Sequence, residues 1–279
     1  MSIRRTRVRT SQPQQGAPLN KAHSRDKNLK GYWPANGQGG GWLQDTVGLN
    51  NATLNSGVSA STSPIGKALA FDGSTGRVTF GSSTQIKTAN FTWSYWIRPR
   101  SLAKAYGALI TTVENLGHQS QTLYLKSNGK LAQYVARDVS NTATYDGTGV
   151  TTLAVGNTYH IATRFNSVTG TATTFVNSVQ DGSATMAVAG SIPFTAGCGT
   201  DFSFDSETAG REIDIIAGNF AYFDTDLSDE AIRRLYLYPW QLFAPTERRI
   251  WIPQAAVAAD YLPPRFEQAR QAVTRGSRW

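Results

Sequence analysis

Phe91-Thr92-Trp93-Ser94-Tyr95-Trp96-Ile97-Arg98-Pro99 is the stretch whose reading decides the fold. Large apolar side chains at Phe91, Trp93, Tyr95 and Ile97 alternate with Thr92, Ser94 and Arg98, the period of two that gives a strand one buried face. Pro99 ends the run because it has no N–H for a ladder. Trp96 interrupts the polar side. That predicts a central strand whose second face is covered by another layer or used for contact.

Outward from this strand the chain reads as many short strands. On its N-terminal side are Leu29-Lys30-Gly31-Tyr32-Trp33, a glycine-rich loop at 38–41, the segment 43–54, Gly66-Lys67-Ala68-Leu69-Ala70-Phe71-Asp72-Gly73 and Gly76-Arg77-Val78-Thr79-Phe80. The Asp-Gly between the last two runs is a hairpin signal. On its C-terminal side strand-like runs fall at 108–111, 122–126, 131–135, 159–165 and 173–177, with an Asn128-Gly129 turn between the second and third. Residues 228–238 form the one convincing helix: Ser228 can cap it, Asp229 and Glu230 favour its first turn, and Pro239 follows its end. Strands punctuated by Gly and Asn indicate an all-β, two-sheet antiparallel jelly-roll sandwich with one short C-terminal helix.

A chain of 279 residues can bury a full core. The single cysteine, Cys198, rules out an intrachain disulfide, and three scattered histidines make no metal cluster. No apolar run reaches transmembrane length, and the basic start is not followed by the apolar region of a signal peptide, so membrane insertion and secretory export are not expected. The net charge of +8 is unevenly placed. Residues 1–30 carry eight Lys/Arg against Asp26, net +7; 244–279 carry six Arg against three acids, net +3; the remainder has 13 basic and 15 acidic residues, net −2. The organisation expected is a basic extended arm (1–28), a jelly-roll domain (29–243) and a Pro/Arg-rich arm (244–279). Arms of this composition cannot bury enough to fold alone and suit an acidic partner, either another subunit or nucleic acid.

The order of motifs resembles the LamG-type, concanavalin A-like jelly roll, of the kind abundant in phage and bacterial proteins. The matching pieces are Gly31-Tyr32-Trp33, Asp45-Thr46-Val47-Gly48, the 66–73 run, the Phe91–Ile97 strand, Val155-Gly156-Asn157-Thr158-Tyr159-His160-Ile161-Ala162 and the run from Gly218 to Ile232. Tyr238-Pro239-Trp240-Gln241-Leu242-Phe243-Ala244-Pro245 is similar to the segment that ends such domains in phage structural proteins. The resemblance implies architecture, and function does not follow from architecture alone.

Glu212-Ile213-Asp214-Ile215-Ile216 resembles the signature strand of family 16 glucanases, which implies a nucleophile, a helper Asp and an acid/base Glu on alternate positions. Retaining hydrolysis needs two carboxylates across the sugar. Here Ala217 follows Ile216, the second glutamate is missing, and no general acid can protonate the leaving group. His160 is expected to pack in a strand rather than act as a base. Asp45, Asp72 and Asp205 are the candidates for calcium, without a dense cluster to support them; no metal and no cofactor is expected. For sugar binding, Trp42, Tyr106, Tyr145 and Tyr222 could supply aromatic platforms, and Asn115, Gln119 and Gln121 polar contacts.

These readings converge on a non-enzymatic virion structural protein, assembled in the host cytoplasm, that decorates or cements a tailed-phage capsid or forms part of its tail. Its partners would be other capsid or tail subunits and further copies of itself. Arg4, Arg5, Arg7, Arg9, Arg248, Arg249, Trp251 and Trp279 are the expected partner-binding residues, with nucleic acid a second possible contact of the N-terminal arm. Trp240 and Phe243 are expected to fold back onto the domain. A carbohydrate-binding host-attachment protein is the alternative reading, and a degenerate family 16-like hydrolase a more distant one.

Overall fold

The computed structural model describes residues 11–20, 28–36, 38–39, 41–48, 50–80, 89–114, 118–138, 141–146, 149–190, 199–204 and 210–243. In chain order the strands are β1 (Leu29–Trp33), β2 (Gln38–Gly39), β3 (Trp42–Leu43), β4 (Ala52–Leu54), β5 (Val58–Ser63), β6 (Gly66–Asp72), β7 (Val78–Thr79) and β8 (Phe91–Pro99). They continue with β9 (Tyr106–Glu114), β10 (His118–Lys126), β11 (Leu131–Asp138), β12 (Asn141–Asp146), β13 (Tyr159–Asn166), β14 (Thr171–Val176), β15 (Val179–Thr185), β16 (Thr200–Phe202) and β17 (Asp214–Phe223). The helix α1 spans Asp229–Leu237. Two antiparallel sheets result. One is eight-stranded, ordered β15-β14-β13-β8-β17-β6-β5 with β1 also on β17; the other is nine-stranded, ordered β12-β11-β10-β9-β16-β7-β4-β3-β2. This is the all-β sandwich that the alternation predicts.

The stretch 91–99 is β8, central in its sheet between β13 and β17. Phe91, Trp93, Tyr95 and Ile97 are all buried on the inter-sheet side. They meet an aromatic core in which Trp93 lies 5.1 Å from Phe80 and 4.9 Å from Tyr222, and Phe202 lies 4.9 Å from Phe220. Such rings carry a large apolar payload and prefer these tilted and edge-on contacts. Gly31 is dictated by this core: a methyl there would overlap the Trp33 indole.

The second face of β8 is covered, as Trp96 foretold. Trp96 stacks on Tyr236 of α1, ring centroids 5.8 Å apart and planes at 23°, and lies 5.2 Å from His160. The helix starts on the Ser228 side chain, which accepts from the Ala231 N–H, and buries Ile232 and Leu235 against the sheet. Arg164 fixes the approach, donating to the Leu227 carbonyl (2.7 Å) and pairing with Asp229 (2.7 Å). Trp240, Leu242 and Phe243 fold back into the same cluster with Leu29, Tyr32 and Phe223.

Two features differ from expectation. The Asp72-Gly73 turn does not make a hairpin: β6 lies in the eight-stranded sheet and β7 in the other. Asp72 accepts from the N–H groups of Ser74, Thr75 and Gly76, so its side chain satisfies a crossing turn rather than a two-strand ladder. Secondly, residues 11–20, placed by composition in the N-terminal arm, lie on the sandwich. Leu19 bridges Phe243, the Asn20 N–H donates to the Leu242 carbonyl, and Asn36 donates to the Pro13 carbonyl. Residues 1–10, 21–27 and 244–279 lie outside the described residues, and with them Arg4, Arg5, Arg7, Arg9, Arg248, Arg249, Trp251 and Trp279.

Candidate functional site

The helix lies on the outward face of the eight-stranded sheet, and among the described residues no helix lies on the nine-stranded one. Register defines what that second sheet presents outward. Val78, Phe202, Ile110 and Leu123 sit opposite one another and enter the core. The neighbouring row must therefore point the other way. It runs Trp42, Thr53, Thr79, Asp201, Thr111, Thr122 and Tyr134, each the cross-strand partner of the next. Trp42 is 53% exposed at one end, and Tyr134 is half-buried near the other.

At the centre of the row Thr79 Oγ1 donates to Asp201 Oδ1 at 2.6 Å. Burial holds the Asp201 carboxyl above the usual carboxylate range, against the opposing pull of the Thr79 hydroxyl and the Arg77 charge. Thr111 and Thr122 are buried beside it, their hydroxyls without a hydrogen-bond partner among the described residues.

A second group stands one step along the same face. Tyr124 lies between Ala108 and Ala132, small residues that leave room for its ring. Tyr106 meets it edge-on at 5.6 Å. Arg211 caps the pair, its guanidinium 4.9 Å from the Tyr124 ring and 5.7 Å from Tyr106, and donates to the Tyr124 hydroxyl at 2.6 Å. Lys126 Nζ also lies over Tyr106, 4.7 Å from the ring centroid. Tyr124, Thr111 and Thr122 are buried, so what this face shows to solvent is Trp42 and, in part, Tyr106, Lys126, Tyr134 and Arg211, aromatic rings beside cations that offer apolar contact with a few polar partners.

Of the four sugar-platform residues expected from sequence, the structure brings Trp42 and Tyr106 to this face. Tyr222 is corrected: it is 1% exposed, packed between Trp93 and Phe91 in the core. Tyr145 lies on β12, and its side chain is outside the described residues, as are those of Asn115 and Gln119. Gln121 is corrected too. It is buried on the core side, opposite Val135. Tyr124, Tyr134, Lys126 and Arg211 were not singled out from sequence. The first three were legible there: Thr122, Tyr124 and Lys126 alternate with Leu123 and Leu125, and Ala132 and Tyr134 with Leu131 and Val135.

The glucanase-like segment sits elsewhere. Ile213, Ile215 and Ala217 enter the core, so Glu212 and Asp214 face away from it on the other sheet. Asp214 pairs with Arg100 at 2.6 Å. Of the calcium candidates, Asp45 is buried and accepts from the N–H groups of Tyr32, Val47 and Gly48, while Asp72 is engaged by its turn; Asp205 lies outside the described residues. Among the described residues no three His, Cys, Asp or Glu side chains gather as metal ligands. His160 is buried and hydrogen-bonded to Ser94, Nε2 to Oγ 2.8 Å.

A Laminin_G_3 family model, described as the concanavalin A-like lectin/glucanases superfamily, matches residues 72–232, more than half of the chain. The chain belongs to this superfamily. Among curated protein sequences none matches significantly. Several solved structures are similar. The binding domain of Paraclostridial Mosquitocidal Protein 1 aligns at TM-score 0.62 and 15% identity over 76% of this chain and 52% of that one. Trypanosoma rangeli sialidase, in complex with 2,3-difluorosialic acid, aligns at TM-score 0.59 and 14% identity over 78% of this chain and 34% of the sialidase. Domain 4 of AbnA, a GH43 extracellular arabinanase from Geobacillus stearothermophilus, in complex with arabinotriose, aligns at TM-score 0.57 and 13% identity over 75% of this chain and 98% of the domain. This concanavalin A-like chain thus spans about half of the first and a third of the second. At these identities the likeness is one of fold.

Proposed function

We propose that the protein is a non-enzymatic carbohydrate-binding module that serves as a displayed structural protein of a virus particle, a tailed phage. One observation carries the reading. The described segments leading to both basic termini meet on the helix-bearing sheet, at the Leu19–Phe243 bridge, whereas the aromatic and polar rows lie on the outward face of the opposite sheet. This supports a recognition surface that is separate from the Leu19–Phe243 bridge. The charge partition supports attachment through the termini, net +7 over 1–30 and +3 over 244–279, to acidic surfaces of neighbouring subunits. The similarity of the Tyr238–Pro245 segment to phage structural proteins supports the particle. The arabinanase domain with arabinotriose bound supports a sugar as ligand of the fold.

The non-enzymatic part rests on the carboxylates. Glycoside hydrolysis needs a pair about 5–10 Å apart across the substrate. The row on the recognition face carries Asp201 as its acid, and the glucanase-like Asp214 is spoken for by Arg100 on the other sheet.

Cosedimentation with particles lacking the protein tests the attachment. Full-length protein should bind saturably, and protein cut to 11–243 should not. The cut belongs at residue 10 rather than 28, because 11–20 are part of the sandwich. Equal binding by the trimmed protein would overturn attachment through the termini.

A further inference from the structure

The eight-stranded sheet ends on β5, and that edge is unusually bare. Its six residues, Val58-Ser-Ala-Ser-Thr-Ser63, include no charge and no proline. They pair with β6 in unbroken register from Val58↔Phe71 to Ser63↔Gly66, without a bulge. Natural edge strands are usually blunted by just these devices. The opposite edge shows the contrast. On β15 the Val150 N–H donates to the Asp181 carbonyl and the Thr151 N–H to its carboxylate, so a loop covers the strand.

Which backbone groups of β5 are available follows from the turn. Ser63 and Gly66 face each other across the two-residue link Pro64-Ile65, so Ser63, Ser61 and Ser59 hydrogen-bond toward β6. The N–H and C=O groups of Ala60 and Thr62 then point away from the sheet. The Val58 N–H, of the same parity, turns back to the Asn55 carbonyl at 3.0 Å. Among the described residues no other backbone bond leaves the outer side of β5. Ser59, Ala60 and Thr62 are solvent-exposed.

We propose that β5 is a self-pairing edge, through which two copies of this chain join antiparallel and continue the eight-stranded sheet from one copy into the next. The occupant is a second copy because the strand complements itself. A two-fold axis at Ser61 sets Ala60 opposite Thr62 of the other copy and closes their outward N–H and C=O groups on one another. A neutral strand meets no like charge in its twin, and small side chains let the backbones approach. The contact stands independently of any sugar bound on the other sheet and of the basic termini.

Sedimentation equilibrium of the full-length protein over a micromolar range tests it, together with amide exchange at Ala60 and Thr62. The wild type should dimerise, with both amides protected only where dimer is populated. Ala60→Pro removes one outward donor at a position an edge strand tolerates. Thr62→Lys leaves every backbone group in place and sets two like charges near the axis. Both variants should be monomeric and melt with dilute, monomeric wild type; should Ala60→Pro fail to fold, Thr62→Lys alone decides. A monomeric wild type, or a Thr62→Lys protein as dimeric as wild type, overturns the proposal. So does a dimer in which the Ala60 and Thr62 amides exchange freely.

Discussion

His160 is held between Ser94 and the ring of Trp96, fully buried, with Nδ1 lacking a hydrogen-bond partner among the described residues. Burial pulls its pKa down to about 3, so the folded protein keeps the ring neutral where the unfolded chain would protonate it. The depressed value fixes the sign. Above about pH 6.5 the group favours neither state; as pH falls from there toward 3 the unfolded chain gains protons and stability is lost. At pH 4 the loss is of order 3 kcal/mol. His160→Gln should therefore flatten the fall in melting temperature between pH 7 and 4. A variant that follows the wild-type slope would contradict the assignment. Asp72 acts with the same sign for a different cause. The N–H groups of Thr75, Ser74 and Gly76 hold its carboxyl well below the usual range, so its stabilisation is complete above about pH 4 and fades as acid titrates it. Asp72→Asn should melt lower than wild type at pH 7, with the gap closing at pH 2. Tyr222 and Tyr106 show the limit of residue-level reading. Both are tyrosines near glycines in β-rich sequence, yet one is core and the other rim, and only register separates them.

At the scale of the element, the sandwich depends on how α1 is fastened to β8. Trp96 is the link, stacked on Tyr236 and adjacent to His160. Trp96→Ala should cost about 2–4 kcal/mol in denaturant unfolding, somewhat below the fully buried case because the ring keeps some solvent contact. Amides of Ile232 and Leu235 should lose exchange protection before those of Trp93 and Tyr95. Uniform loss across helix and core would contradict a separately docked helix. Much of this was legible in sequence, since period two gave β8, the break at Trp96 gave a covering layer, and the Ser228 cap gave the helix. Among the strands missed, β5, β12 and β15 are together about half Ser, Thr, Gly and Asn, residues whose composition speaks for loops; they are strands because a hairpin partner supplies their ladder. The Asp72 turn was misread for a related reason. Asp-Gly reports a reversal, and which sheet receives the chain afterwards is set by core packing of Phe71 and Val78.

For the whole molecule, the family was legible because its motifs are core positions, and core positions fix the sandwich. The recognition face was less so. It draws on residues from Trp42 to Arg211, brought together only when β9, β10, β11 and β16 align. Residues 11–20 belong to this body. Protein comprising 11–243 should melt with the full-length chain, while 21–243 should melt lower because Leu19 and the Pro13 carbonyl lose their partners. Equal melting of the two would place 11–20 outside the cooperative unit.

The claim on which most depends is that the outward face of the nine-stranded sheet binds carbohydrate. Binding to an array of immobilised oligosaccharides, compared between full-length wild type, Trp42→Ala and Tyr106→Ala, tests it most directly. Wild type should retain at least one glycan, both variants should lose it, and all three should share one melting transition. Glycan binding undiminished in both variants, or no binding by folded wild type across a broad array, would contradict it.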